Sequence, residues 1–236
     1  MPLTQHGSHL FCLARFGVVN SYFVRDDDGL TLIDANLPGS EMAILKAAGQ
    51  IGLPIIRIAL THAHGDHIGS LDALHAALPN AEVSISARDA RLLAGDLSLD
   101  AGEGNNKLKG DLRGARTRPD RLLQGGDRVG SLWAVAAPGH TPGQLAFHDQ
   151  RDGTVIAGDA FQVAGGLAVA GQLRPLFPFP ALATWDAHLA AESAARLTEL
   201  NPSRLAVGHG RVLEQPAEAM RKVVREAQRH APKLAQ

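Results

Sequence analysis

Four side chains of metal-ligating type fall within six positions in Thr61-His62-Ala63-His64-Gly65-Asp66-His67-Ile68-Gly69, a density that few folds can accommodate. The run follows Ile55 to Leu60, a short apolar stretch after a proline that reads as a buried strand, and it opens a helix. In an extended loop, residues two apart face the same way, so His62 and His64 can grip one cation from one side. Asp66 and His67 come at the turn into the helix and point back toward the same pocket. Gly65 and Gly69 let the backbone crowd that pocket. Imidazole with carboxylate is a donor set suited to zinc, and also to iron or manganese. A polar surface loop could carry histidines too, but this many ligand types at the carboxyl end of a strand favour a metal site.

Three later elements extend the pattern. Ala137-Pro138-Gly139-His140-Thr141-Pro142-Gly143 puts a histidine in a glycine-rich turn after a predicted strand, Ala157-Gly158-Asp159-Ala160 puts an aspartate after another, and Val207-Gly208-His209-Gly210 puts a histidine after the last. Each falls where a buried strand ends, the usual location of sites in α/β sheets. Alone, an aspartate after a strand is a turn former or helix cap; with the first motif, the four elements form a set.

Strands are predicted between Leu10 and Ile33, at Ile55 to Leu60, Val83 to Ile85, Arg121 to Leu123, Leu132 to Ala136, Gln144 to His148, Thr154 to Ala157 and Leu205 to Val207. Helical spacing predicts helices from about Pro38 to Gly52, one continuous helix carrying Ile68, Leu71, Leu74 and Leu78, and a short one from Ala87 to Leu93. A further helix is N-capped by Thr184 and stopped by Pro202, and an amphipathic one runs from Pro216 to about His230. Both halves pass from strands to alternating helix and strand, which suggests two packed sheets with helices outside, a four-layer αββα sandwich of the α/β class. The whole chain, 1–236, reads as one such domain. Two segments lack a period: Gly95 to Pro119, read as a solvated surface excursion whose basic residues Lys107, Lys109, Arg113, Arg116 and Arg118 would alternatively make a lid touching an anionic substrate, and apolar Phe161 to Pro180, read as core, dimer contact or pocket wall.

The order H-x-H-x-D-H, P-G-H-T-P-G, G-D, G-H-G resembles the metallo-β-lactamase superfamily over nearly the whole chain. The resemblance implies that His62, His64 and His140 hold a first metal, that Asp66, His67 and His209 hold a second, and that Asp159 bridges them. It implies two divalent ions, zinc foremost with iron or manganese as alternatives, and a bridging hydroxide that attacks a small ester, lactone or thioester. Asp66 would also serve catalysis by passing a proton to the leaving group. True zinc β-lactamases lack the bridging aspartate present here as Asp159, so antibiotic hydrolysis is not expected. The lactonases of the fold use a tyrosine from the later half of the chain, whereas Tyr22, the single tyrosine, falls in an early strand and is expected in the core. Glyoxalase II enzymes append a helical domain for which too few residues follow His209, and the RNA-gripping additions of the nuclease members are not evident. The rival readings are an iron-dependent persulfide dioxygenase of the same fold, a phosphodiesterase and a non-catalytic binding protein.

A formal charge of −1 supplies no field to draw nucleic acid or an anionic membrane. No apolar stretch reaches the roughly 20 residues of a membrane span, and the N-terminus lacks the features of a signal peptide. Cys12 is the only cysteine, so an internal disulfide is excluded. A cytoplasmic protein acting on a small molecule, with homo-oligomerisation open, is the expectation. Of the other histidines, His6, His9 and His230 fall near the termini, His75 and His188 on helices, and His148 in an edge strand or turn; none is expected to bind metal.

Overall fold

The computed structural model describes residues 1–104 and 106–230, the side chain of His230 excepted. Seven strands join the first sheet in chain order: β1 (Leu3–His6), β2 (Leu10–Arg15), β3 (Val19–Asp26), β4 (Gly29–Ile33), β5 (Ile55–Ala59), β6 (Glu82–Ser86) and β7 (Arg121–Leu123). β1 to β4 form an antiparallel meander, and β4 to β7 run parallel. Parallel neighbours need crossovers; these contain α1 (Glu41–Ile51), then α2 (Gly65–Ile68) and α3 (Leu71–Ala77), then α4 (Ala87–Leu93).

The second sheet holds β8 (Arg128–Val129), β9 (Leu132–Ala136), β10 (Leu145–Asp149), β11 (Thr154–Ile156), β14 (Arg204–Ala206) and β15 (Leu213–Glu214), in the order β15-β14-β11-β10-β9-β8. Between β11 and β14 the chain makes a small ribbon of β12 (Phe161–Gln162) and β13 (Ala168–Val169), then α5 (Phe179–Leu182) and α6 (Ala187–Glu199). It ends in α7 (Ala217–His230).

Period-two alternation sorts the strand side chains into three apolar layers. Phe11, Leu13, Phe23 and Leu32 face the helices of the first half, with Ile44, Leu71, Leu74 and Leu92. Their neighbours Cys12, Tyr22, Val24 and Ile33 face the second sheet and meet Leu132, Leu145, Phe147 and Ile156. On the far side of that sheet, Ala146, Val155 and Leu205 pack on Ala194, Leu197, Met220 and Val224 of α6 and α7. The result is the four-layer αββα arrangement. No helix among the described residues is long and apolar enough to cross a membrane.

Three local expectations need correction. The single helix expected after the histidine motif is broken into α2 and α3 at Gly69 and Ser70. The turn before α1 plugs into the break: Ser70 Oγ accepts from Ser40 N and donates to the Leu37 carbonyl, both at 2.8 Å. Thr184 does not cap α6; Asp186 does, accepting from Leu189 N at 2.9 Å, and Thr184 is engaged elsewhere. His148 is not on an edge, because β10 lies between β9 and β11.

The middle layer welds the two sheets, so Phe147→Ala, which empties a fully buried site there, should cost about 3–5 kcal/mol in urea unfolding. Leu176→Ala, at a residue 88% exposed, should stay within about 0.5 kcal/mol.

Candidate metal centre

Loops at the ends of β5, β9, β11 and β14 converge on one rim of the sandwich. The loop after β5 carries His62, His64, Asp66 and His67; the turn between β9 and β10 carries His140; a 3-10 turn, Gly158–Ala160, carries Asp159; and the turn after β14 carries His209. All seven residues expected from the sequence are brought together. All are buried except Asp66, whose side chain is 30% exposed.

Ligand-type atoms close into three groups, each able to hold an ion: His62, His64 and His140; His62, His67 and Asp159; Asp66, His67 and His209. His64 Nδ1 lies 3.0 Å from His140 Nε2. Asp159 sits between the groups, its Oδ1 3.4 Å from His67 Nε2 and its Oδ2 3.4 Å from His140 Nε2 and 3.1 Å from His209 Nε2. His209 Nε2 also lies 3.2 Å from Asp66. Gly208 makes the crowding feasible, since a Cβ there would fall 2.1 Å from Asp159 Oδ1 and 2.6 Å from the His67 ring.

The other nitrogen of every ring is occupied, which fixes which nitrogen faces inward. Thr61 Oγ1 donates to Asp34 Oδ2 at 2.8 Å and so accepts from His62 Nδ1 at 3.0 Å. His67 Nδ1 donates to the same Asp34 oxygen at 2.8 Å. Thr184 Oγ1 donates to the Pro180 carbonyl at 2.7 Å and accepts from His140 Nδ1 at 3.1 Å. His64 Nε2 donates to the Lys109 carbonyl at 2.8 Å, and His209 Nδ1 to that of Val18 at 3.2 Å. His62 Nε2, His67 Nε2 and Asp159 Oδ1 are buried with no hydrogen-bond partner. Unpartnered buried donors and acceptors are costly, and outer bonds that orient inward imidazole lone pairs are what metal-binding histidines require. The residues present therefore fit a resident metal.

The sequence assigned no role at the site to Asp34, Thr61, Thr184 or the Lys109 carbonyl. Asp34 had a usable signal, a polar residue just past the end of an apolar strand, as His62 and Asp159 lie within a few residues of theirs; it is held at φ 62° and also accepts from Thr61 N at 2.7 Å. A backbone carbonyl from an irregular loop leaves none. Tyr22 lies in the core as expected, its hydroxyl exchanging hydrogen bonds with Val207 N and O at 3.0 and 2.6 Å and so anchoring the His209 turn.

A cavity of about 450 Å³ opens over the rim, floored by His64, Asp66, His140, Asp159 and His209. One wall is apolar: Leu37 and Pro38 from the turn before α1, with Phe179, Pro180, Leu182 and Ala183 around α5. The segment from 161 to 180 thus divides, Phe161 and Val169 entering the core, Phe177 packing on the His209 ring at 5.3 Å between centroids, and Phe179 reaching the cavity. The facing wall is part of the presumed surface excursion. Residues 106–118 are instead strapped across the site. Trp185 Nε1 donates to the Asn106 carbonyl at 3.0 Å, Gly65 N to that of Asp111 at 2.8 Å, and Thr117 N and Oγ1 to Asp72 at 2.7 Å. Of the basic run, Arg113 alone lines the cavity, and it is ion-paired with Asp111.

An αββα sandwich with a histidine and aspartate cluster at the strand ends defines a class of metal-binding proteins. The family model of the metallo-β-lactamase superfamily matches residues 14–209, and the chain belongs to that superfamily. It is 51% identical over 212 residues to the uncharacterized protein YobT of Bacillus subtilis (strain 168), covering 89% of this chain and 91% of that one. It is 29% identical over 240 residues to the probable metallo-hydrolase YflN of the same organism, covering 89% and 90%. Among solved structures, TTHA1623 in a di-iron-bound form superposes with a TM-score of 0.62 at 28% identity, covering 88% of this chain and 95% of that one.

The two sides of the cluster differ in charge. Burial, reinforced at His62 and His140 by neighbouring imidazoles, holds His62, His64 and His140 below the ordinary histidine value, His140 at about 3. Burial also opposes protonation of His67 and His209, but there the carboxylates prevail. Asp159, with Asp34 and Asp66, carries His67 well above the ordinary value, and Asp159 with Asp66 takes His209 to about 9. Asp66 and Asp159, which burial alone would raise, are held well below the carboxylate range by those rings. In protein stripped of metal, protons on His67 and His209 therefore balance the aspartates. With its pKa raised from 6.5 to about 9, His209 contributes stability that is complete below about pH 6.5 and lost as pH rises through about 9. The Tm of chelator-treated protein should fall across that window. Calorimetric zinc titration in buffers of different ionisation enthalpy should show more protons leaving with the second equivalent than with the first; equal release would contradict this charge distribution.

Proposed function

We propose that the chain is a dinuclear metal-dependent hydrolase acting on a small ester, lactone or thioester with an apolar portion. The observation that carries this is the cavity, whose floor exposes both ligand groups and whose side wall is apolar. In this reading His62, His64 and His140 hold one ion, Asp66, His67 and His209 the other, and Asp159 lies between them. Two divalent ions so held would supply Lewis-acid polarisation of the scissile carbonyl and a water acidic enough to act as nucleophile near neutral pH. Zinc suits the donor set, and iron is supported by the di-iron relative.

The chain's own residues do the rest. Asp66 faces the cavity and, ionised in the resting site, can take up a proton and relay it to the leaving group. Asp34, Thr61 and Thr184 keep the imidazoles aimed inward. Leu37, Phe179 and Leu182 offer an apolar surface that excludes water from one side of the substrate. Arg113, the only lysine or arginine in the lining among the described residues, is neutralised by Asp111, which favours an uncharged acyl substrate over a phosphodiester.

Elemental analysis should find close to two metals per chain (on the order of the two-ion site described above). Asp66→Ala should lower hydrolysis of an activated ester by about 10²–10³-fold while one ion stays with His62, His64 and His140. An iron-loaded wild type that consumes oxygen with a persulfide and hydrolyses nothing in an ester, lactone and thioester panel would establish the dioxygenase instead. Phe179→Ala should raise KM for apolar esters by about tenfold with little change in Tm, since Phe179 is 66% exposed; unchanged KM would remove α5 from the substrate pocket.

A further inference from the structure

Asp89, on α4, is fully buried and lies outside the metal-ligating set. Its two carboxylate oxygens reach two different loops. Oδ2 accepts from Ala63 N at 3.1 Å and from Thr141 Oγ1 at 2.7 Å, and Oδ1 accepts from Gly143 N at 2.8 Å. Ala63 stands between His62 and His64, and Thr141 follows His140, so one side chain ties together the backbone that presents all three imidazoles of the first group. The approach is close enough to exclude a side chain from position 143: a Cβ there would fall 2.6 Å from Asp89 Oδ1 and 2.5 Å from Ser86 Oγ. Ser86 in turn caps α4 by accepting from Asp89 N at 3.0 Å, which anchors the carboxylate to the end of β6.

We infer that Asp89 is a positioning residue that sets the spacing of the first metal's ligands by clamping the His62–His64 loop to the His140 turn. This rests on the ligand assignment proposed above. A side chain that merely filled space would need no acceptors. Asp89 accepts three hydrogen bonds, and it does so although burial pushes its carboxyl up to about 6. An amide of the same shape cannot satisfy the same donors, because one of its two polar atoms carries hydrogens of its own and would face Gly143 N, or Ala63 N and Thr141. The ligand loops would then separate on that side, while His67, held by Asp34, and His209, held by the Val18 carbonyl, would keep their places with Asp66 beside them.

The test is titration of chelator-treated protein with Co²⁺, followed by its visible absorption bands, for wild type, Asp89→Asn, Thr141→Val and Thr141→Ser. Asp89→Asn should weaken the His62–His64–His140 site by about tenfold or more and alter the cobalt spectrum of that site. The dissociation constant of the other site should stay near the wild-type value. Thr141→Val, which removes one of the three donors, should give a smaller loss, and Thr141→Ser, which restores the hydroxyl, should recover wild-type binding. Should Asp89→Asn not fold, the Thr141 pair decides the matter alone. Unchanged cobalt binding in Asp89→Asn, equal weakening of both sites in step with a lower Tm, or no rescue by serine would overturn the clamp and leave Asp89 a stabilising core residue. Wild-type protein that binds no cobalt would overturn the metal assignment itself, and the clamp with it.

Discussion

Asp159 brings an anion into a buried site where imidazoles from three separate loops meet it, His67 and His209 within 3.4 and 3.1 Å and His140 within 3.4 Å. An isolated carboxylate at that depth would be expelled or protonated. It stays ionised because cations, whether protons on the rings or metal ions among them, surround it, and they in turn have no other reason to gather there. That mutual need fixes how far apart the ends of β5, β9, β11 and β14 can stand. The middle apolar layer, with Tyr22, Ile33, Phe147 and Ile156, holds the two sheets at a spacing that meets the requirement, so the packing of the sandwich and the geometry of the rim are one problem solved together.

Around this cluster lies a shell of groups that are not ligands but decide what the ligands can do. Asp34 serves two rings, directly at His67 and through Thr61 at His62. Thr184 passes a hydrogen bond from His140 to the Pro180 carbonyl at the apolar wall of the cavity. These outer contacts join the inner cluster to the walls of the cavity.

The clustering of the histidines and aspartates was legible in the sequence because these residues are of unusual type, fall at strand ends and recur in a fixed order; His62 through His67 would have sufficed to locate the rim. The sandwich was legible from the order of elements, strands first and then alternating helix and strand in each half, and from the helical spacing of α1, α6 and α7. What escaped depends on contacts between segments distant in sequence. The break between α2 and α3 is set by Ser40 and Leu37, some 30 residues earlier, as the separations of those hydrogen bonds attest. Thr184 looks like an N-cap in isolation, and only the approach of His140 gives it another partner. The two-residue strands β8, β12, β13 and β15 carry too few side chains for any alternation to register. The strap at 106–118 has no period because its backbone hydrogen bonds run to Trp185, Gly65 and Asp72 rather than to its own backbone.

That strap also limits how the protein could diversify. A wall made of irregular chain looks freely exchangeable, and swapping it would be the obvious way to give the same histidine and aspartate floor a new clientele. Yet the acceptor that orients His64 is the backbone carbonyl of Lys109, and the next residue, Gly110, runs so close beneath the ring that a Cβ there would fall 2.5 Å from Nε2. The side chains on either side can change, but any graft must return one carbonyl and one bare α-carbon to the same place. Selection for new substrates is thereby channelled toward the termini of the strap and toward α5, where a residue can be exchanged without unsettling a ligand.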